Sequence, residues 1–80
     1  MITKSDLPDL VVTAFYHFKT NNRRGDVAHN EDIRHLIEQS TGDPLYDGAV
    51  GDIREEILRQ RSGLGVEAAT MSGSAWRFVK

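Results

Sequence analysis

Four histidine and carboxylate side chains between residues 29 and 35 form the densest group of potential metal ligands in the sequence. They are His29, Glu31, Asp32 and His35. Glu31 and His35 are four residues apart, a spacing that places them on one face of a helix, where they could hold a metal ion. The chain has three histidines, no cysteine and no HExxH arrangement. We therefore interpret the group as paired surface side chains and predict no metal site.

The motifs on which catalytic sites are commonly built do not occur in the sequence. There is no nucleophile elbow and no glycine-rich phosphate loop followed by lysine. Gly63 and Gly65 are interpreted as a helix end and not as a dinucleotide-binding loop, because no predicted strand precedes them and no helix follows. We predict that the protein is not an enzyme and binds no cofactor.

Basic side chains that could contact nucleic-acid phosphates are few. Arg23 and Arg24, which follow Lys19, form the one basic cluster of the sequence. The formal net charge is −2, and residues 31–67 carry four arginines against nine carboxylates, a net charge of −5. A nonspecific nucleic-acid binder normally has a clear basic excess, because phosphate neutralisation supplies most of its affinity. The charge pattern therefore argues against a strongly electrostatic DNA binder.

Length and composition predict one folded domain over residues 1–80. The hydrophobic fraction of 39% and the charged fraction of 28% are ordinary for a globular protein. Eighty residues leave no room for a second core. The absence of cysteine fits a reducing compartment, and no apolar run has the length of a signal peptide or a membrane span. We expect a cytoplasmic protein that does not associate with a membrane.

A helix over residues 5–21 is the first element that the apolar pattern predicts. Six apolar residues recur at helical spacing: Leu7, Leu10, Val11, Ala14, Phe15 and Phe18. Ser5 or Asp6 is expected to cap this helix, with Pro8 in its first turn, where a missing N–H costs little. Phe15 and Phe18 should be its largest contributions to the core.

Two more helices are predicted in the middle of the chain. The second runs over residues 31–40, with Asn30 as its cap and with Ile33, Leu36 and Ile37 on its apolar face. The third begins after either Asp43 or Asp47 and buries Ile53 and Ile57. It should end near residue 61, with Gly63 as a left-handed cap. Residues 26–28, between the first two helices, are consistent with a brief strand.

A β-hairpin is predicted at the end of the sequence. Residues 64–70 and 75–79 are β-prone and flank the turn-like residues 71–74. In the second run Trp76 and Phe78 share one face. A Trp at this position of a small domain is most often part of the core, so we predict that Trp76 is buried.

The order of helix, short strand, helix, tight glycine turn, helix and hairpin resembles the winged helix-turn-helix family. Gly42, Gly63 and Trp76 carry the resemblance, and residues 53–64 are similar to the end of a recognition helix that runs into its wing. The resemblance implies an α+β fold with three helices and a C-terminal β-hairpin. It covers nearly the whole chain as a pattern and contains no diagnostic motif, and the same scaffold serves several functions.

In that family the third helix enters the major groove of DNA and the wing contacts the backbone or the minor groove. Exposed positions such as Asp52 and Glu55 would then face the DNA. The resemblance implies four DNA-binding residues, Arg54, Arg59, Ser72 and Ser74. The basic cluster adds Arg23 and Arg24 as candidate contacts to phosphates. The expected function is that of a small DNA-binding regulator, of the kind that a phage or another mobile element encodes.

The carboxylates of the third helix depart from the pattern of a DNA-binding family member. They are Asp47, Asp52, Glu55 and Glu56. Backbone phosphates would repel them, whereas pairs such as Glu55 with Arg59 would make them an ordinary solvated face. The alternative is therefore a protein-interaction module or inhibitor, which docks on a basic protein surface through an acidic third helix without binding DNA.

Overall fold

The computed structural model describes residues 2–21 and 27–79, and its fold is α+β. A short 3₁₀ helix (Lys4–Asp6) leads into three helices and three strands. In chain order these are α1 (Leu7–Asn21), β1 (Val27–His29), α2 (Asn30–Thr41), α3 (Ala49–Leu64), β2 (Val66–Ala68) and β3 (Ala75–Phe78). The predicted order of elements is therefore confirmed over the described residues, including the brief first strand.

The strands form one antiparallel sheet in the order β1-β3-β2. Trp76, in the central strand, lies opposite Ala28 of β1 and Ala68 of β2. Residues 69–74, which connect β2 to β3, are called the hairpin loop below. Because β1 leads directly into α2 and β2 follows α3, the sheet ties the ends of both helices to the hairpin.

The three helices and one face of the sheet enclose a single core. Its buried side chains include Phe15, Phe18, Ile53, Ile57 and Trp76, all of which the apolar pattern assigned to the interior. Phe78 packs edge-on against Phe15, with their ring centroids 6.1 Å apart. The stripes of α1 and α3 and the inward face of the hairpin therefore meet as predicted.

Of the three apolar residues that the pattern placed on the inward face of α2, Ile33 and Ile37 are fully buried and Leu36 is half-buried. Ile33 and Ile37 lie one turn apart, in one row along the helix. At 100° per residue Leu36 lies about 80° from the middle of that row, at the edge of the buried face. Its side chain packs against the core from the side.

Two of the predicted helix caps differ from the observed ones. Thr3, not Ser5 or Asp6, is the N-cap of the 3₁₀ helix, and the Asp6 carboxylate accepts the backbone N–H of Thr3 at 2.9 Å. His29 is the N-cap of α2, because Asn30 is already its first residue and turns its amide inward. Each capping residue therefore lies at least one position before the predicted one.

The third helix is shifted towards the C-terminus relative to both predicted starts. It begins at Ala49, after Gly48, and neither Asp43 nor Asp47 caps it. The preceding loop is held to α2 instead, because the Glu38 carboxylate accepts the backbone N–H of Leu45 at 2.8 Å. The helix continues through Leu64, which packs against the core, and the left-handed cap is Gly65 (φ 72°), not Gly63.

Candidate nucleic-acid interface

Arg54 joins α3 to the hairpin loop and brings three of the predicted site residues together. Its Nε donates a hydrogen bond to the backbone carbonyl of Ser72 at 2.9 Å. The hydroxyls of Ser72 and Ser74 lie 3.3 Å apart in the same loop. The other end of the guanidinium meets the exposed Glu55 carboxylate, with Nη1 and Oε2 3.1 Å apart. This helix–loop junction is the candidate interface.

Gly73 allows the close approach of Arg54 to the loop. Its φ is 75°, in the left-handed region that favours glycine. A Cβ at this position would lie 2.9 Å from Arg54 Nε, a distance that would displace the guanidinium. The sequence pattern marked residues 71–74 only as a turn, and did not indicate that this glycine accommodates an arginine from another element.

The hairpin loop is held by hydrogen bonds on both of its sides. The Thr70 hydroxyl accepts the backbone N–H of Ser74 at 3.0 Å. Asn30, at the start of α2, donates its amide N–H to the Gly73 carbonyl at 2.9 Å, and its backbone N–H bonds the Ser74 carbonyl at 3.0 Å. The loop is therefore anchored to α2 and α3 together before any partner binds.

Asn30 is the buried polar residue that sequence reasoning assigned wrongly. It is 6% exposed, and its Oδ1 accepts the indole N–H of Trp76 at 2.6 Å. The amide thus satisfies one donor and one acceptor that the core would otherwise leave unpaired. An asparagine before a predicted helix is typical of a cap, so the sequence carried no signal for this second role.

Arg59, the other predicted site residue on α3, lies on a different side of the helix. Five residues separate it from Arg54, which corresponds to about 140° around the axis. Arg59 pairs with Glu56, whose carboxylate also accepts the amide N–H of Gln60 at 2.6 Å. Gln60 in turn donates to the Pro8 carbonyl at 3.0 Å and so lies towards α1, whereas Arg59 itself is exposed. The expected Glu55–Arg59 pair is replaced by Arg54–Glu55 and Glu56–Arg59.

Two more predicted site residues, Arg23 and Arg24, lie outside the described residues, and the structure does not place them.

Asp52, which the resemblance placed towards DNA, is held within the fold. Its carboxylate accepts the hydroxyl of Tyr46 at 2.7 Å and lies 3.8 Å from the Lys4 ammonium. Burial, the hydrogen bond to Asp52 and the charge of Asp52 together raise the pKa of Tyr46 to about 12. Asp52 therefore joins α3 to the preceding loop and to the N-terminal segment.

The negative charge of the chain lies mainly outside α3. Between Ala49 and Leu64 three arginines balance three carboxylates, and the hairpin loop has no charged residue. By contrast, α2 and residues 42–48 carry five carboxylates and one arginine, a net charge of −4. Because α3 begins at Ala49, Asp47 belongs to this acidic segment, and the expectation of an acidic third helix is wrong.

The histidine and carboxylate group of residues 29–35 extends from the last residue of β1 along the first turns of α2. The backbone N–H of His29 donates to the Asp32 carboxylate at 3.3 Å, and Glu31 accepts from Arg34 at 2.9 Å. Within residues 2–21 and 27–79, no three histidine, aspartate or glutamate side chains converge as metal ligands would. In the same part of the chain, no helix combines the length and the apolar character that a membrane span requires.

Comparison with known proteins identifies no relative of this chain. No protein-family model, no curated protein and no solved structure matches the chain.

Proposed function

We propose that the protein is a winged-helix DNA-binding regulator that acts in the cytoplasm. In this proposal α3 lies in the major groove and the hairpin loop contacts the adjacent backbone. The order of the elements and the β1-β3-β2 sheet support it, since both suit a third helix with a wing beside it. The observation that carries the proposal is the junction at Arg54, where a half-exposed arginine is held between the helix and the loop.

The charge distribution is compatible with specific binding at this junction. The neutral α3 and the uncharged hairpin loop present no net repulsion to DNA phosphates. The pair of Arg54 with Glu55 is exposed, and such pairs contribute only about 0.2–1 kcal/mol. A guanine edge or a phosphate can therefore replace Glu55 as the partner of the guanidinium, while Nε stays on the Ser72 carbonyl.

Substitution of Arg54 by alanine is the direct test. We expect Arg54→Ala to weaken binding to the preferred duplex by about 1–3 kcal/mol if Arg54 contacts a base. If it contacts only phosphate, the loss should be similar for all duplexes. Affinity is measured by fluorescence anisotropy on duplexes selected from a random-sequence pool at low salt. With few cations at the interface, the slope of log K against log salt should be shallow, about −2 to −3.

Arg77→Ala is the matched control for this experiment. Arg77 is also an exposed arginine in an ion pair, 3.4 Å from Glu67, but it lies on the outer face of the hairpin. The Arg77→Ala variant should bind DNA as tightly as wild type, apart from a small loss of affinity from the removed charge that is equal for all duplexes. Arg54→Lys keeps the positive charge but loses the planar, fixed arrangement of N–H donors in the guanidinium. If wild type selects no duplex at low salt, or if Arg54→Ala binds as tightly as wild type, the proposed interface is wrong.

The acidic segment of α2 and residues 42–48 favours a second candidate function, docking on a basic protein surface. Complementary charge would accelerate such an association and make it sensitive to salt without any affinity for DNA. On α3 the residue that discriminates the two functions is Glu55, because its side chain is 68% exposed whereas Glu56 is 12% exposed and bound to Arg59.

Glu55→Lys should strengthen duplex binding under the DNA proposal and have little effect on docking through the acidic segment, to which Glu55 does not belong. Glu67→Lys is the control, because it makes the same change in net charge at an exposed carboxylate that pairs with Arg77 on the outer face of the hairpin. We expect Glu55→Lys to raise duplex affinity several-fold more than Glu67→Lys at the same salt concentration. Equal effects of the two variants would show that only the total charge matters and would contradict a site on α3.

A further inference from the structure

The outer face of α1 carries two exposed apolar side chains that the core does not use. Tyr16 is 66% exposed and Val12 is 45% exposed. They are four residues apart, so their side chains are neighbours on the helix surface. Asp9 and Lys19 are also exposed. At 100° per residue, these two and Val12 and Tyr16 lie within an arc of about 80° around the helix axis. These four residues are called the outer α1 patch.

The outer α1 patch lies on a different element from Arg54 and the hairpin loop. The stripe of α1 that contains Val11 and Phe15 is buried in the core, so Val12 and Tyr16 lie on the exposed side of the helix.

The order of residues in the outer α1 patch is self-complementary. Position 14 is the midpoint between Val12 and Tyr16, and it is also the midpoint between Asp9 and Lys19. In an antiparallel pair of α1 helices related by a two-fold axis at position 14, Val12 meets Tyr16 of the other copy. Asp9 then lies at the same position along the paired helices as Lys19 of that copy, which has the opposite charge.

We propose that the protein forms a weak two-fold symmetric dimer through the antiparallel packing of two α1 helices. The occupant of the outer α1 patch is a second copy, because one two-fold axis pairs both the apolar residues and the opposite charges. In the monomer the Lys19 ammonium lies 5.9 Å from the centre of the Phe78 ring, at the long limit of a cation–π contact. Such a loosely held ammonium can turn towards a carboxylate of the second copy.

The size of the outer α1 patch predicts a low affinity. Stable interfaces involve about 20–30 residues on each side, far more than one helix face supplies. We therefore expect a dissociation constant on the order of 100 µM, with the dimer populated at high concentration. The inference goes beyond DNA binding and does not require it, although a two-fold dimer would suit a palindromic duplex if the proposed function is correct.

Charge reversal and charge exchange at the outer α1 patch test the dimer. Sedimentation velocity up to about 1 mM protein should show a concentration-dependent dimer of wild type. Asp9→Lys places lysines against each other in both symmetric pairs, and we expect it to weaken the dimer about tenfold. Lys19→Glu should have the same effect. The double variant Asp9→Lys/Lys19→Glu exchanges the charges, and its dissociation constant should return to within about threefold of wild type.

The fold is monitored in the same samples by thermal melting, since reversed charges at the ends of α1 slightly disfavour the helix. Met71→Ser is the matched control, because Met71 is a fully exposed apolar residue in the hairpin loop, away from α1, and should leave dimerisation unchanged. A wild type that stays monomeric to 1 mM contradicts the proposal. So does a folded double variant that dimerises no better than either single variant. Neither result bears on duplex binding, which is measured separately.

Discussion

Phe15→Ala should lower the free energy of unfolding by about 3–5 kcal/mol, a large share of the total stability of a domain of this size. Phe15 is 2% exposed in the core and packs edge-on against Phe78. The truncation removes a large apolar side chain and leaves a cavity between α1 and the sheet, which the surrounding residues can fill only in part. Urea denaturation followed by far-UV circular dichroism measures the change.

Tyr16→Ala is the matched control, because it removes a ring of similar size from the next residue of the same helix. Tyr16 is 66% exposed, so its truncation should change the stability by less than about 0.5 kcal/mol. The measurements belong at low micromolar concentration, where the proposed dimer is not populated. Similar losses for the two variants would contradict the described orientation of α1.

Asn30→Leu should cost about 3 kcal/mol, because it leaves two polar groups unpaired. In the wild type Asn30 accepts a hydrogen bond from the Trp76 indole N–H and donates one to the Gly73 carbonyl. Trp76 is 0% exposed and Asn30 is 6% exposed, so water cannot readily replace the lost amide. The hairpin loop should also loosen, and its backbone N–H groups should exchange with solvent faster than in wild type.

A double-mutant cycle with Trp76→Phe separates the buried hydrogen bond from the change in volume. Trp76→Phe removes the indole N–H, so in its background Asn30→Leu no longer leaves that donor unpaired. The double variant should therefore be more stable than the sum of the two single losses predicts, by about 1–2 kcal/mol. Additive losses would show that the hydrogen bond between Asn30 and Trp76 contributes nothing to stability.

Local periodicity was sufficient to predict the elements and most of the core. The stripe that contains Phe15 and Phe18 predicts α1, and the alternation of Trp76, Arg77 and Phe78 predicts a strand with one inward face. These patterns are reliable because the burial of one face follows directly from the helical or strand repeat. The spacing did not show that Leu36 would be less buried than Ile33 and Ile37, since a residue at the edge of a stripe has the same spacing as one at its centre.

The candidate site could be predicted only in part. The sequence identified Arg54, Ser72 and Ser74 through a resemblance, and the structure brings these three together. It separates Arg59 from them, because Arg59 lies about 140° around the helix from Arg54 and pairs with Glu56. The sequence of α3 alone did not indicate which of its sides would meet the hairpin loop.

The sequence by itself determined the class of the fold, the order of its elements and the side chains that face the interior. Only the tertiary structure decided where α3 begins and ends, what Asn30 does and which arginine reaches the hairpin loop. Helix ends and buried polar pairs depend on partners far along the chain, such as Trp76, 46 residues from Asn30, and Ser72, 18 residues from Arg54. Local propensity contains no information about such partners, since they become neighbours only when the helices and the sheet close around one core.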